Sequence, residues 1–304
     1  WARTLKLLND YDVILSGGTG VFDDFRDTPL GWPSVLLRWC VAARMKGVEW
    51  RFISVGAGPI VNPIGRAMMK RAGALARQRL YRDDDSYRFM QKLGVDGPSD
   101  GVVPDLAFLL APRPHAERAA GDPLVVGVGM MTYHGWHSSA GVYESYIDLH
   151  VRLIEWLQAR GYGVRMIVGQ TPADVGAARD VDGRLKSKVL TAREEAAMSI
   201  HDAMALIGET DLVVASRYHV QIAALKMGRP LIALSYGPKS DALMADVGLG
   251  EFCQNLDHTD FDLLTQQIEK MIAGRDTYAA QVREKVAAMK AKLIAALKEL
   301  DPRA

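Results

Sequence analysis

Ser216-Arg217-Tyr218-His219 lies between two apolar runs, Asp211-Leu-Val-Val-Ala215 and Gln221-Ile-Ala-Ala-Leu225. The Val-rich run reads as a buried strand and the second run as a helix. In open α/β sheets, ligands bind at the carboxyl ends of strands. A helix N-terminus adds partial positive charge and N–H donors. An Arg, a titratable His and a helix start at one turn therefore describe a site for an anion that can be chemically changed. The next strand, Leu231–Leu234, is followed by Ser235-Tyr236-Gly237-Pro238-Lys239. Adjacent parallel strands bring their ends together, so Arg217, His219 and Lys239 are expected to converge, with the Tyr236 hydroxyl beside them.

Three other groups carry chemical potential. Ser16-Gly-Gly-Thr-Gly-Val-Phe-Asp23-Asp24 follows the strand Val13–Leu15, and Asp23 or Asp24 can take a proton from a hydroxyl. A tight βα turn with no ligand is the plainer reading. Ser54-Val-Gly56-Ala-Gly58-Pro59 suggests close backbone approach, here by a neighbouring domain, and the structural reading is favoured. Arg82-Asp83-Asp84-Asp85-Ser86 precedes a helical run, with Asp85 or Ser86 expected as N-cap. Asp105 is a similar strand-end carboxylate. Consecutive carboxylates point in different directions, so no metal is expected.

The 304 residues suffice for two domains, and formal net charge of +1 gives no field favouring nucleic acid. Hydrophobic content of 49% is that of a globular protein. Cys40 and Cys253 have no CxxC or CxxH neighbours, which argues against zinc and for a reducing compartment. No apolar run is long enough to span a bilayer.

The positioning elements follow from periodicity. Strands are expected at Val13–Leu15, Arg51–Val55, Val125–Val128, Val164–Val168, Leu212–Ala215 and Leu231–Leu234. Amphipathic stretches lie at Val35–Lys46, Tyr146–Arg160 and Glu194–Ile207. This alternation predicts βαβ units in parallel sheets. The Pro-rich segment Ala111–Pro123 is the expected domain boundary. The first block has few strands and no Met at position 1, which carries the expectation that a leading segment precedes it. The final helix, Ala279–Leu300, has an apolar stripe and a basic face of Arg283, Lys285, Lys290, Lys292 and Lys298. It is expected to pack on the body, with contact to an anionic membrane as the sharper reading.

In this order these residues resemble the polysaccharide pyruvyl transferase family. The matching motifs are Gly17-Gly18-Thr19-Gly20 with Asp23, Gly56-Ala57-Gly58-Pro59, and Arg82-Asp83 with Ser86. They continue with Asp105-Leu-Ala-Phe108, Arg217-Tyr-His219, and Pro230-Leu-Ile-Ala-Leu-Ser-Tyr236 with Lys239. The likeness spans about Asp12 to Gly250. It implies a GT-B-like α/β fold of two Rossmann-like domains with parallel sheets and an active site in the cleft between them. The domains would be 1–118, N-terminal and on the acceptor side, 119–274, C-terminal and on the donor side, and a C-terminal helix at 275–304.

The resemblance further implies transfer of pyruvate from phosphoenolpyruvate, with no other cofactor, to a sugar diol of a surface-polysaccharide or glycolipid precursor. His219 would be the general acid, and Asp23 or Asp24 the base. Arg217, Lys239, Ser216 and Tyr236 would bind the donor. Gly18, Thr19, Gly58 and Arg82 would contact acceptor or donor. A strand-end Arg usual in the family is absent near Met131. Tyr133, His134 or His137 can substitute for it or contact the acceptor, Trp136 can stack on a sugar ring, and an ordinary loop is the plainer alternative. The resemblance implies a cytoplasmic protein, and the basic helix adds a place at the inner face of the membrane. A GT-B glycosyltransferase using a nucleotide sugar and a non-catalytic glycan-binding member are the alternatives.

Overall fold

The computed structural model describes residues 1–24, 27–112, 121–135, 141–187, 189–191 and 199–300. The chain forms two compact units. One comprises Trp1–Leu109 with the chain from Met289 onward, and the other Leu110–Ala288.

The first unit is a parallel sheet of β1 (Val13–Gly17), β2 (Glu49–Val55), β3 (Gln78–Tyr81) and β4 (Gly101–Val102), in that spatial order. After a short α1 (Ala2–Leu7), helices α2 (Trp32–Lys46), α3 (Pro63–Leu75) and α4 (Asp84–Lys92) connect successive strands. The helix ends follow local chemistry. Asn62 caps α3 by accepting from the Ile64 and Gly65 N–H groups, with Pro63 preset at the first position. Gly47, with φ of 73°, ends α2 in the left-handed region. Asp83 caps α4 by accepting from the Ser86 N–H at 2.7 Å, so the cap lies earlier than the Asp85 or Ser86 expected from sequence. A ring cluster centres the core: Phe22 meets Phe52 edge-on at 4.7 Å and Tyr81 at 6.5 Å. All three are fully buried, and truncating one such ring costs about 3–5 kcal/mol.

The second unit is a six-stranded parallel sheet. Its strands are β5 (Val125–Met130), β6 (Gly163–Val168), β7 (Leu190–Thr191), β8 (Leu212–Ala215), β9 (Leu231–Ser235) and β10 (Cys253–Asn255). The spatial order is β10-β9-β8-β5-β6-β7. Counted from its own first strand, that is the doubly wound 3-2-1-4-5-6 order, whose direction reverses between β5 and β8. In open sheets of this order the ligand crevice forms at the carboxyl ends of those two strands. Gly129 of β5 permits this packing, because a Cβ there would lie 2.8 Å from the Ala215 Cβ and 3.2 Å from Val220. Helices α5 (Val142–Ala159), α6 (Val175–Asp182), α7 (Ile200–Gly208), α8 (Tyr218–Lys226), α9 (Pro238–Asp246) and α10 (Phe261–Ala273) flank this sheet. The division between units falls within α11 (Arg275–Glu299), where Val282 and Leu293 are buried and the five basic residues noted above are exposed. Among the described residues no helix is long and apolar enough to cross a membrane.

Candidate active site at the strand ends

In the second unit the site is built where β5, β8 and β9 end. Ser216, fully buried, closes β8, and Arg217 is the N-cap position of α8. Arg217 does not extend into solvent. Its Nε and Nη2 donate to Oδ2 and Oδ1 of Asp174 at 2.7 and 2.5 Å. The Asp174 side chain is wholly inaccessible, and it also accepts the Thr132 N–H at 3.0 Å. One carboxylate thus ties the end of β5, the start of α6 and the start of α8. Gly169 leaves room for this, since a Cβ there would come within 2.6 Å of Val220 and 3.4 Å of Arg217. The hydrogen bond to Asp174 raises the Arg217 pKa further, so the guanidinium keeps its charge.

Beside this pair runs a chain of aromatic and cationic contacts. The Lys239 Nζ, in the first turn of α9, lies 4.9 Å from the Tyr236 ring centre and 5.4 Å from that of Tyr218. Such distances suit cation–π attraction. The exposed His219 ring meets Tyr218 edge-on at 5.7 Å. On the other side Tyr133 packs 6.1 Å from both Tyr236 and Tyr146. The Tyr133 hydroxyl donates to Asp257 at 2.7 Å, and burial first, then Asp257, pushes its pKa up. Burial likewise raises the Tyr146 phenol, which accepts the Met131 N–H at 2.8 Å. Near Met131, where the family usually carries a strand-end Arg, this chain has two backbone N–H groups fastened by Tyr146 and Asp174.

His134 packs against the start of α5. It stacks on Tyr143 with ring centres 5.0 Å apart, and Tyr143 donates to Asp180 at 2.6 Å. Burial and then that bond push the Tyr143 pKa up to about 12. Trp136 and His137 lie outside the described residues.

The first unit has its own strand-end cluster. The two glycine turns are laced together by backbone bonds. Gly18 donates to Ile53, Gly56 to Thr19, Phe22 to Gly56, and Gly58 to Phe22, at 2.9–3.1 Å. Gly18, at φ of 72°, requires glycine's left-handed freedom. A Cβ on Gly58 would lie 2.6 Å from an Asp23 carboxylate oxygen, and one on Gly56 at 2.6–2.9 Å from the Arg82 guanidinium. The close approach expected at this motif therefore comes from side chains of the same unit. Arg82 pairs with Asp83 at 3.4 Å, and Ser86 accepts the Ala57 N–H at 2.9 Å.

The two neighbouring carboxylates differ. Asp24 is 2% exposed and accepts the N–H groups of Val61 and Asn62 at 2.7 and 3.4 Å, whereas Asp23 is only half-buried. Ser54, the next-to-last residue of β2, has φ of 54°, and its hydroxyl accepts the Leu106 N–H at 3.1 Å. Backbone strain of this kind clusters at functional sites. Asp105 is buried and accepts the Ala107 N–H at 2.9 Å, bracing the turn that follows β4.

The second unit thus offers cations, a titratable imidazole and aromatic faces, and the first offers a carboxylate beside a cation. Asp174, Asp257, Tyr146 and Tyr218 were not anticipated from sequence in these positions. Asp174 follows the strand Gly163–Val168 in Gln-Thr-Pro-Ala-Asp, so the strand-end rule that found Arg217 reaches it too.

Solved structures share the architecture at low identity. A UDP-N-acetylglucosamine 2-epimerase of Listeria monocytogenes, so described provisionally, matches with TM-score 0.61 and 14% identity, over 92% of this chain and 73% of its own. UDP-GlcNAc 2-epimerase of Neisseria meningitidis, bound to UDP-GlcNAc, matches with TM-score 0.58 and 12% identity, over 98% and 80%. The UDP-forming α,α-trehalose-phosphate synthase of Burkholderia vietnamiensis matches with TM-score 0.54 and 12% identity, over 98% and 79%. These establish a GT-B-like α/β fold. No curated protein matches the chain. A family model described as polysaccharide pyruvyl transferase matches residues 1–238, which takes in both glycine turns, Arg217, His219 and the strand leading to Lys239. With more than half its length matched, the chain belongs to the polysaccharide pyruvyl transferase family and is a transferase.

Proposed function

We propose that the enzyme moves pyruvate from phosphoenolpyruvate to a sugar diol as a cyclic ketal, releasing phosphate. The observation that carries this reading is the cluster of Lys239, Arg217 and His219 at one set of strand ends. Phosphoenolpyruvate bears a carboxylate and a phosphate. Lys239 serves the phosphate as a compact point charge, and its aromatic surroundings limit competing water. Arg217 presents to the carboxylate the edge that Asp174 leaves open.

His219 protonates the donor methylene carbon, which becomes a methyl group, and positive charge develops at the neighbouring carbon. One sugar hydroxyl attacks that carbon and yields its proton to Asp23. The C–O bond to phosphate breaks and the second hydroxyl closes the ring. The second hydroxyl's proton restores His219, and the proton taken by Asp23 leaves with the phosphate, so donor plus diol equals ketal plus phosphate. Asp23 is preferred over Asp24 as base because it is half-buried, whereas Asp24 is 2% exposed. A glycosyl transfer from a nucleotide sugar is the competing reading. Its candidate ribose partner, Asp241, already accepts from the Cys253 thiol at 3.4 Å.

Phosphate release from phosphoenolpyruvate, measured with and without a panel of glycans, tests the proposal. Release only with a diol acceptor supports it. Thermal stabilisation by UDP- or GDP-sugars, with none by phosphoenolpyruvate, overturns it.

A further inference from the structure

Three aliphatic side chains project from the carboxyl-edge rim of the first unit. Leu30 is 82% exposed, Val61 77% and Ile64 59%. They belong to the entrances of α2 and α3, which pack side by side, with Pro33 of α2 against Gly65 of α3. Asp24 fastens the two entrances by accepting the Val61 N–H. Asp23 adjoins Asp24, the residue that accepts the Val61 N–H.

The same two helices carry an unbalanced charge. α2 bears Arg38, Arg44 and Lys46, and α3 bears Arg66, Lys70 and Arg71, all exposed. Neither helix contains an acidic residue. The whole chain is nearly neutral, at +1, so six cations without a carboxylate mark a local field rather than a general basicity. Arg44 and Lys46 sit in the last turn of α2, away from the rim, while Arg38, Arg66, Lys70 and Arg71 lie nearer to it. Exposed aliphatics at the mouth of basic helices match an anionic bilayer, with apolar side chains entering the acyl boundary and cations meeting lipid phosphates.

We propose that this face of the first unit docks on an anionic lipid surface. The docking does not rest on the pyruvyl-transfer reading. The basic stripe of α11 is an alternative contact that the test separates.

The test is flotation of the intact protein with vesicles of 30% phosphatidylglycerol in phosphatidylcholine, against pure phosphatidylcholine. Wild type is expected to float with the anionic vesicles and to dissociate at high salt. Val61→Asp/Ile64→Asp and Arg66→Glu/Arg71→Glu are each expected to weaken binding by about tenfold or more while keeping the circular-dichroism melt. Arg283→Glu/Lys290→Glu on α11 is expected to bind as wild type does. Absence of wild-type flotation, equal flotation by the rim variants, or loss confined to the α11 variant overturns the inference. Phosphoenolpyruvate-induced thermal shifts on the same proteins keep the two readings apart. Flotation without any shift strikes the donor assignment and upholds docking, whereas a shift without flotation overturns docking alone.

Discussion

Arg217 and Asp174 form a two-point ion pair, with Nε to Oδ2 at 2.7 Å and Nη2 to Oδ1 at 2.5 Å, around a carboxylate wholly removed from water. The pair sets the direction of Arg217 before any ligand arrives. Removing one partner of such a pair leaves an uncompensated charge, which costs 3–5 kcal/mol when both are buried. Arg217 is about a quarter exposed, so solvent relieves part of that. Asp174→Asn is therefore expected to lower stability by roughly 2 kcal/mol in urea melts and to raise KM for phosphoenolpyruvate more than it lowers kcat. Arg217→Lys should fail to restore donor affinity, because an ammonium cannot bridge both Asp174 oxygens. A wild-type KM in both variants would show that the pair only supports the fold.

His219 predicts a different kinetic signature. It is exposed in the first turn of α8, and its ring meets Tyr218 edge-on. His219→Gln should leave the phosphoenolpyruvate-induced thermal shift intact and reduce kcat by about 10²–10⁴, the range for removal of a general acid. The melting temperature should stay within the scatter of surface substitutions. Unchanged turnover in this variant sinks the acid assignment.

How much of this was legible before the structure depends on which force fixes each element. Val125–Met130 and Leu231–Ser235 are apolar runs buried on both faces, so composition alone marks them as strands. Gln78–Tyr81 and Cys253–Asn255 are short and half polar, and only pairing with β2 and β9 makes them strands. The same distinction governs the site. Arg217 and Lys239 follow recognisable strands, and the strand-end rule is local. Asp174 lies 43 positions from Arg217, and its burial is a product of the sheet order that sets β6 beside β5. The α4 cap was ambiguous within three consecutive aspartates. The reach of Asp83 to the Ser86 N–H resolved it.

The glycines of Gly56-Ala57-Gly58 give a test that separates site geometry from stability. A methyl on Gly58 meets an Asp23 oxygen at 2.6 Å, and one on Gly56 meets Arg82. Both obstacles are ends of side chains, which can swing away at modest cost. Gly58→Ala is thus expected to change the melting temperature by no more than a few degrees. It should nevertheless lower kcat with a glycan acceptor by at least about tenfold, because Asp23 is the group displaced. Donor binding in the second unit should be untouched. Collapse of stability in place of turnover would make these glycines purely architectural.

His150 predicts how the fold responds to acid. The ring is 1% exposed on α5, 4.0 Å from Tyr146, and its Nδ1 lies 2.8 Å from the Tyr146 carbonyl oxygen. A carbonyl only accepts, so the neutral ring carries its proton on Nδ1. Burial disfavours the imidazolium and pushes the pKa from 6.5 down to about 4, with the carbonyl bond opposing part of the shift. The unfolded chain takes up a proton near 6.5, but the folded chain does not until about 4. Stability from this residue is therefore complete above pH 6.5 and declines as pH falls towards 4. At about 1.4 kcal/mol per pH unit, the loss across that window is about 3 kcal/mol. Urea melts between pH 7 and 4 should show that decline in the wild type and a visibly shallower one in His150→Gln. Parallel profiles for the two proteins would mean that other groups govern the acid response.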